Sequence, residues 1–271
     1  MDQPAIDRAA RPDFPAAVIM KLRASPSARV THRRNPPVVG MIETPLNPDI
    51  FAPILEAPAS RPFVVAQLGQ SLDGRIATLG GESRYINGDA ALDHLHRLRA
   101  CVDAVVVGAG TIVADDPRLT VRRVKGRSPA RVVIDPSGRL DGAGRWLERD
   151  GQRVFLVSAA GRAPRGAELV RVPARDGVIP PSDIVAALAA LGLRRLLVEG
   201  GATTISRFID AGCVDRLHIL MAPVILGSGL VGINLAQIES LKQALRPSVA
   251  THLLGGGEAL FDCALRRNGQ D

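Results

Sequence analysis

The sequence has few of the residues that several specialised protein classes require. Its three cysteines are isolated and form no CxxC pair, so we expect neither a disulfide framework nor a metal site. Aromatic residues make up only 3%, too few for the stacking platforms that hold nucleic-acid bases. No apolar run approaches the roughly 20 residues of a membrane-spanning helix. We therefore expect no nucleic-acid partner and no membrane partner.

The N-terminus lacks the pattern of a secretory signal. Asp2 follows the first methionine, and the best apolar stretch, residues 14–20, is short and contains Pro15. Cysteines that are isolated in the sequence and odd in number are typical of a reducing compartment. A cytoplasmic protein is therefore expected.

Lysine is scarce although the chain is basic. The net charge is +7, yet only three of the 34 basic residues are lysines. Arginine holds phosphate through two parallel hydrogen bonds, so scattered arginines suit a phosphorylated small molecule at least as well as a nucleic acid.

Proline divides the chain into two parts. Eleven of the 20 prolines fall in residues 1–62, where they disfavour regular structure. We predict an irregular Pro/Arg-rich arm over residues 1–60, with one short helix at 48–56, and a single domain over 61–271. Whether the arm lies over that domain, lies over a partner subunit or is a disordered tail stays open.

After residue 60, apolar strand-like runs alternate with helical periodicity. Helices are predicted at 90–102, at 182–191 with Ser182 as N-cap, and at 203–211. This alternation predicts an α/β fold, with a mostly parallel sheet covered by helices on both faces. Runs around 250–254 and 258–265 predict a C-terminal antiparallel hairpin.

Polar, glycine-rich segments follow three of the predicted strands, at 71–75, 108–117 and 199–204. Open α/β sheets bind ligands at such strand ends. Glu199 and two glycines open a helix with Thr203 and Thr204, which suits a pyrophosphate. The alternative is that the glycines only form a tight turn.

Other polar residues admit two interpretations each. Asp73, Asp115, Asp116 and Glu199 could orient a sugar hydroxyl or an amine, or could cap turns. Arg99 and Arg122 are candidates for binding phosphate, but they could also be solvated. Among the histidines, His94 and His96 are expected at the surface and His218 in the core.

Taken together, these segments resemble a known family. Residues 61–265 are similar to the reductase half of the bacterial bifunctional riboflavin-biosynthesis deaminase–reductase and to its stand-alone fungal and archaeal counterparts. The matching stretches are SLDGR (71–75), GES (81–83), LRA (98–100), VGAGT (107–111), ADDPRLTVR (114–122), VID (133–135), VEGG (198–201), VDRL (214–217) and APVILGS (222–228).

The resemblance implies a dihydrofolate-reductase-like fold, NADPH as hydride donor, a phosphorylated pyrimidine substrate and a homodimer. By matching position it assigns two sets of residues. The substrate set is Ser83, Arg99, Leu119, Arg122 and Glu199. The nucleotide set is Gly69, Tyr85, Thr111, Asp115 and residues 201–207, which begin with Gly201, Ala202, Thr203 and Thr204.

The chain departs from the family pattern in three ways. Tyr85 stands where bifunctional members usually have tryptophan, and Gln67 stands where they often have lysine. A mechanism that needs a cation at position 67 is therefore in doubt. Residues 1–60 contain neither HxE nor PCxxC, so zinc-dependent deamination is not expected of this chain.

The implied reaction is hydride transfer to C1′ of a ring-opened ribosylamine, which yields a ribitylamine in riboflavin biosynthesis. We expect Glu199 and Asp73 near the reacting sugar as catalytic residues. Two alternatives are a reductase of another pterin or pyrimidine and a non-catalytic nucleotide-binding module. Ser83, Arg99 and Arg122 favour the phosphorylated substrate.

Overall fold

The computed structural model describes residues 48–84 and 86–265, which fall in one compact unit of the chain. The described strands are Phe63–Ser71 (β1), Arg75–Thr78 (β2), Ala104–Gly108 (β3), Ala130–Ile134 (β4), Val154–Ser158 (β5), Glu168–Arg171 (β6), Arg195–Glu199 (β7), Arg216–Ala222 (β8), Gly229–Val231 (β9), Ser248–Leu253 (β10) and Ala259–Ala264 (β11). The α-helices are Ala52–Leu55 (α1), Asp89–Cys101 (α2), Ala109–Asp115 (α3), Pro181–Ala190 (α4) and Ala202–Asp210 (α5).

Nine strands form one sheet in the order β10-β11-β8-β1-β7-β3-β4-β5-β6. Every neighbouring pair from β8 to β6 is parallel, and β11 and β10 add antiparallel pairs at one end. The predicted α/β fold and its C-terminal hairpin are therefore confirmed. β2 and β9 form a separate two-stranded sheet that the sequence analysis did not predict.

The central strands are buried on both faces, because helices cover both sides of the sheet. Val64 and Ala66 pack in the cluster that contains Ile184 of α4 and Phe208 of α5. Val65 packs in the opposite cluster, with α1, α2 and α3. Burying one such aliphatic side chain contributes about 1.5–3 kcal/mol, so these two layers hold the strand ends in place.

The end of the predicted arm carries regular structure. A 3-10 turn at Pro48–Phe51 leads into α1, which confirms the predicted short helix. Ile50, Phe51 and Ile54 are buried in the cluster beside α2. The division of the chain at residue 60 stays a prediction, and residues 1–47 lie outside the described part.

Some predicted boundaries differ from the structure. Helix α4 begins at Pro181 with Pro180 as N-cap, so the prediction of Ser182 as the cap is wrong. Proline fits this place because the first helical amide has no intrahelical partner to lose. In the described part of the chain, no helix is long and apolar enough to cross a bilayer.

Candidate active site

A cavity of about 490 Å³ opens at the carboxyl ends of β1, β3 and β7. Its other walls come from α2, from α3 and from residues between β2 and α2. Parallel strands end at one edge of a sheet, which is why residues far apart in the sequence meet there. Eight predicted site residues line this cavity: Gly69, Ser83, Arg99, Thr111, Asp115, Leu119, Glu199 and Gly201.

Arg99 and Glu199 form a buried ion pair in the cavity wall. Nε of Arg99 donates to one carboxylate oxygen at 2.7 Å, and Nη2 donates to the other at 2.6 Å. Each residue is only 5% exposed. Since both carboxylate oxygens of Glu199 accept from one guanidinium, the pair presents a fixed, nearly neutral polar surface to the cavity.

Gln67 lies beside this pair. It is opposite Glu199 in the β1/β7 register and opposite His218 in the β1/β8 register, and it is buried. Its amide group offers both a donor and an acceptor, and the residue lines the cavity. A neutral side chain at this position leaves Glu199 paired with Arg99 alone.

Two strand-to-helix turns interlock at the cavity edge. A Cβ on Gly200, which has φ +82°, would lie 2.8 Å from Oγ1 of Thr111, and a Cβ on Gly108 would lie 2.5 Å from Oγ1 of Thr204. Only glycine therefore fits at either position. The threonine at the start of each helix packs against the glycine that precedes the other helix.

The contact between the two turns also involves the turn at 199–204 that is predicted to bind a pyrophosphate. The amide of Gly201 donates to Oγ1 of Thr111 at 3.1 Å, so it already has a partner. Ala202, Thr203 and Thr204 do not line the cavity, although they form the first turn of α5. The amide of Thr204 donates to the carbonyl of Gly201 at 3.0 Å. The amides of Ala202 and Thr203 precede it, at helix positions that have no intrahelical acceptor, and this helix end lies next to the cavity edge.

Asp73 is not brought to the cavity. Its carboxylate accepts hydrogen bonds from the hydroxyl of Ser71 and from the amides of Leu226 and Gly227. The hydrogen bond from Ser71, followed by that from Leu226, lowers the pKa of Asp73 to about 2. It is therefore ionised at neutral pH and joins the end of β1 to the loop after β8.

Arg122 lies near the cavity without lining it. Its side chain is exposed, and burial of part of the guanidinium, followed by repulsion from Arg99 and Arg118, lowers its pKa. Attraction to the carboxylate of Glu199 raises the pKa of Arg122. An anion placed here would relieve the repulsion between these arginines.

The prediction that His94 and His96 lie at the surface is wrong. They are 0% and 1% exposed, because α2 packs on the sheet with one side and on residues 119–123 with another. His218 is a core histidine, as predicted. Its Nδ1 lies 3.0 Å from Nε2 of His94, and its Nε2 lies 3.2 Å from the carboxylate of Asp262.

The sequence analysis missed Asn87. It lines the cavity, and its Oδ1 would lie 2.1 Å from a Cβ on Gly69. The buried carboxylate of Glu258 holds it by accepting from Nδ2 of Asn87 at 3.1 Å and from the amide of Gly88 at 2.8 Å. Glu258 is distant in sequence, so no local pattern indicated this contact. Tyr85 lies outside the described residues.

The chain is similar to several known proteins. The model of the RibD C-terminal domain family matches residues 62–256. The 2,5-diamino-6-ribosylamino-4(3H)-pyrimidinone 5′-phosphate reductase of Methanothermobacter thermautotrophicus is 37% identical over 174 residues, which are 62% of this chain and 80% of that protein. The riboflavin biosynthesis protein RibD of Aquifex aeolicus is 31% identical and matches 74% of this chain. The chain spans only 56% of that relative.

A solved structure shares the fold. It is a diaminohydroxyphosphoribosylaminopyrimidine deaminase/5-amino-6-(5-phosphoribosylamino)uracil reductase from Thermotoga maritima, with a TM-score of 0.68 and 28% identity. The match covers 80% of this chain and 60% of that one.

Proposed function

The chain belongs to the RibD C-terminal domain family, and on that premise we propose that it is an NADPH-dependent reductase of riboflavin biosynthesis. Its substrate would be a 5-amino-6-(5-phosphoribosylamino)pyrimidine, whose ribosyl group is reduced to a ribityl group. The observation that carries this proposal is the cavity at the strand ends, walled by the Arg99–Glu199 pair and flanked by Arg118 and Arg122.

The arginines favour a phosphorylated substrate over a folate-like one. Arg118 and Arg122 are both exposed near the cavity, and Arg118 is paired only through a surface contact with Glu148. A phosphate group could replace such a contact at little cost, because exposed ion pairs contribute at most about 1 kcal/mol. Another pterin or pyrimidine substrate without phosphate would leave the repulsion between Arg118 and Arg122 unrelieved.

The residues at the cavity edge fit a nicotinamide dinucleotide. Gly69, Thr111, Asp115 and Gly201 line one part of the cavity, and the first two amides of α5, those of Ala202 and Thr203, favour a pyrophosphate. When bound, this cofactor supplies the hydride. We propose NADPH and assign Ala202, Thr203 and Thr204 to its phosphates.

The chain's own residues would orient the substrate and exclude water. Leu92, Leu95, Leu220 and other apolar side chains line the cavity, which favours a dry site for hydride transfer. Ser83 and Gln67 would bind the substrate's polar groups. Glu199, held by Arg99, would stabilise the iminium-like electrophile at C1′ that accepts the hydride. We propose no catalytic contact for Asp73, because its carboxylate is occupied outside the cavity.

NADPH oxidation tests this function directly. The deaminated and undeaminated phosphoribosylaminopyrimidines are offered separately, and the decrease in nicotinamide absorbance is followed. We expect turnover of at least one, and the faster substrate assigns the order of reduction and deamination. Glu199→Gln and Arg122→Ala should reduce turnover, whereas Arg171→Ala, on the exposed edge strand β6, should not.

Two results would contradict the proposal. If NADPH binds and neither pyrimidine is reduced, the substrate is a different pyrimidine or pterin, or the chain is a non-catalytic nucleotide-binding module. If Arg171→Ala lowers turnover as much as Arg122→Ala does, the effect of Arg122 is not specific to the cavity.

We also propose that the protein is a homodimer, formed through one face of its antiparallel strands. In the registers of β10, β11 and β8, three rows of side chains lie on this face. The rows are Val249–Cys263–Leu217, Thr251–Phe261–Ile219 and Leu253–Ala259–Met221. All nine residues are uncharged. Leu217 and Cys263, at one end of the face, are buried in the core cluster, whereas Val249 and Leu253, on the edge strand, are 50% and 54% exposed. We call these nine residues the uncharged face.

A second copy suits the uncharged face better than the N-terminal arm does. Sheets pack face to face, and a two-fold axis would place each face against its equivalent. The arm is rich in arginine and proline, and the uncharged face has no acidic residue to attract it. We further propose a cytoplasmic location, which agrees with the isolated spacing of the cysteines in the sequence, and a reductase domain at 61–271.

A further inference from the structure

Residues 119–123, here called the arginine segment, are bound to helix α2 through Thr120, Arg122 and Arg123. Nη1 of Arg99 donates to the carbonyl of Thr120 at 3.0 Å. Nε of Arg123 donates to Asp93 at 2.6 Å, and its Nη2 donates to Asp89 at 2.8 Å. The helix therefore determines where this segment lies.

His96 makes the central contact of this set. The backbone amide of Arg122 donates to Nδ1 of His96 at 3.0 Å. Because Nδ1 accepts, the ring proton of neutral His96 is on Nε2. Burial, followed by the charges of Arg99 and Arg122, lowers the pKa of His96 to about 4, so the ring is neutral near pH 7. The acceptor is thus available under ordinary conditions.

The segment's backbone needs such a contact. Leu119 has φ +59°, in the left-handed region that β-carbon sterics disfavour, and its side chain is 1% exposed. Arg122 carries its charge close to Arg99 and Arg118, so like charges oppose its position. A neutral acceptor can hold the backbone there without adding another positive charge.

We propose that His96 is a positioning residue that holds the backbone of Arg122, so that the guanidinium of Arg122 meets the phosphate of the substrate. This inference rests on the proposed function. It adds a residue that touches neither the cavity nor the substrate. His96 acts through one backbone hydrogen bond, so its effect is on substrate binding rather than on hydride transfer.

Two substitutions of His96 separate positioning from simple packing. His96→Leu keeps a side chain of similar size, but it is apolar and removes the acceptor. His96→Asn is smaller, but it can place Oδ1 near the position of Nδ1. If His96 only filled space, leucine would be the better replacement. If it positions Arg122, asparagine would be the better one.

The experiment measures KM and kcat for the faster phosphorylated substrate, and the same constants for the corresponding compound without phosphate. We expect His96→Leu to raise KM for the phosphorylated compound about tenfold, equivalent to about 1.4 kcal/mol, and to change kcat less than twofold. The compound without phosphate should show no change. His96→Asn should recover most of the loss.

His94→Leu is the matched control. It removes another buried histidine from the same helix, but one that contacts His218 instead of the arginine segment. Thermal unfolding is measured for all variants. If His94→Leu raises KM for the phosphorylated compound as much as His96→Leu does, or if asparagine is no better than leucine, the inference is wrong.

Failure of the proposed function would be recognised separately. In that case wild-type protein would reduce neither pyrimidine. Binding of ribose 5-phosphate, measured by calorimetry, would then test His96 without turnover. Weaker binding in His96→Leu, with recovery in His96→Asn, supports the inference. Equal binding in all variants, or no binding to the wild type, overturns it.

Discussion

The buried ion pair of Arg99 and Glu199 both stabilises the folded protein and forms part of the cavity wall. Both side chains are almost fully buried, and each of the two hydrogen bonds joins a different carboxylate oxygen to the guanidinium. Removing one partner would leave the other charge buried without compensation. Arg99 also holds Thr120, so the same residue supports the arginine segment.

A double-mutant cycle tests this dependence. We expect Glu199→Gln and Arg99→Met each to lower the free energy of unfolding by about 3 kcal/mol, because each leaves an uncompensated buried charge or donor. The double variant should lose clearly less than the sum. Urea denaturation measures all three variants. Additive losses would mean that the two charges do not stabilise each other.

At the scale of single elements, the two interlocked turns hold β3–α3 against β7–α5. Thr111 packs against Gly200, and Thr204 packs against Gly108, so neither helix can move along its strand without the other. The two glycines differ in backbone conformation. Gly108 has φ −81°, which any residue can adopt, whereas Gly200 has φ +82°.

This difference predicts which glycine substitution can be rescued. Gly108→Ala should destabilise the protein by about 1–3 kcal/mol through its contact with Thr204, and adding Thr204→Ala should recover most of the loss. Gly200→Ala should stay destabilised when Thr111→Ala is added, because its positive φ remains unfavourable. Thermal unfolding measures the four variants. Equal rescue at both sites would contradict this explanation.

The elements themselves were largely predictable from local patterns. Helical periodicity predicted α2, α4 and α5, and apolar runs predicted β10 and β11, each to within one or two residues at its ends. Short elements were missed: α3, β6 and β9 have three to seven residues. Such short segments contain too few residues to show a period, so their structure depends on the neighbours with which they pair.

At the scale of the whole molecule, the two edges of the main sheet differ. Edge strand β6 has four residues with a charge at each end, Glu168 and Arg171. Edge strand β10 has six residues and no charge, and it borders the uncharged face. Charges and short length protect an edge from further pairing or association. Only the β10 end lacks this protection.

The homodimer proposal predicts a change of mass. We expect light scattering to give a dimer for the wild type and a monomer for Val249→Asp with Leu253→Asp, because buried carboxylates would oppose association. Leu191→Asp, at the exposed end of α4, is the control and should remain dimeric. A monomeric wild type, or dissociation in the control, would contradict the proposal.

The buried histidines of α2 predict how stability depends on pH. Burial lowers the pKa of His94 well below 6.5 and that of His96 to about 4, so both are neutral in the folded state. The unfolded chain takes up these protons first, so stability should fall as pH decreases from 6.5 to 4. Urea midpoints measured across this range test the expectation. The slope should be smaller in His96→Asn, and a flat profile would contradict it.

By itself, the sequence determined the α/β architecture, the strand ends that form the site and eight residues of its wall. The architecture follows from periodicity, the strand ends follow from local polar and glycine-rich motifs, and the eight wall residues follow from the resemblance to the family. Only the tertiary structure decided that Asp73 lies outside the cavity, that Asn87 lies in it, and that His94 and His96 are buried. Each of these depends on which elements pack together, and a residue's own neighbours in the chain carry no information about that.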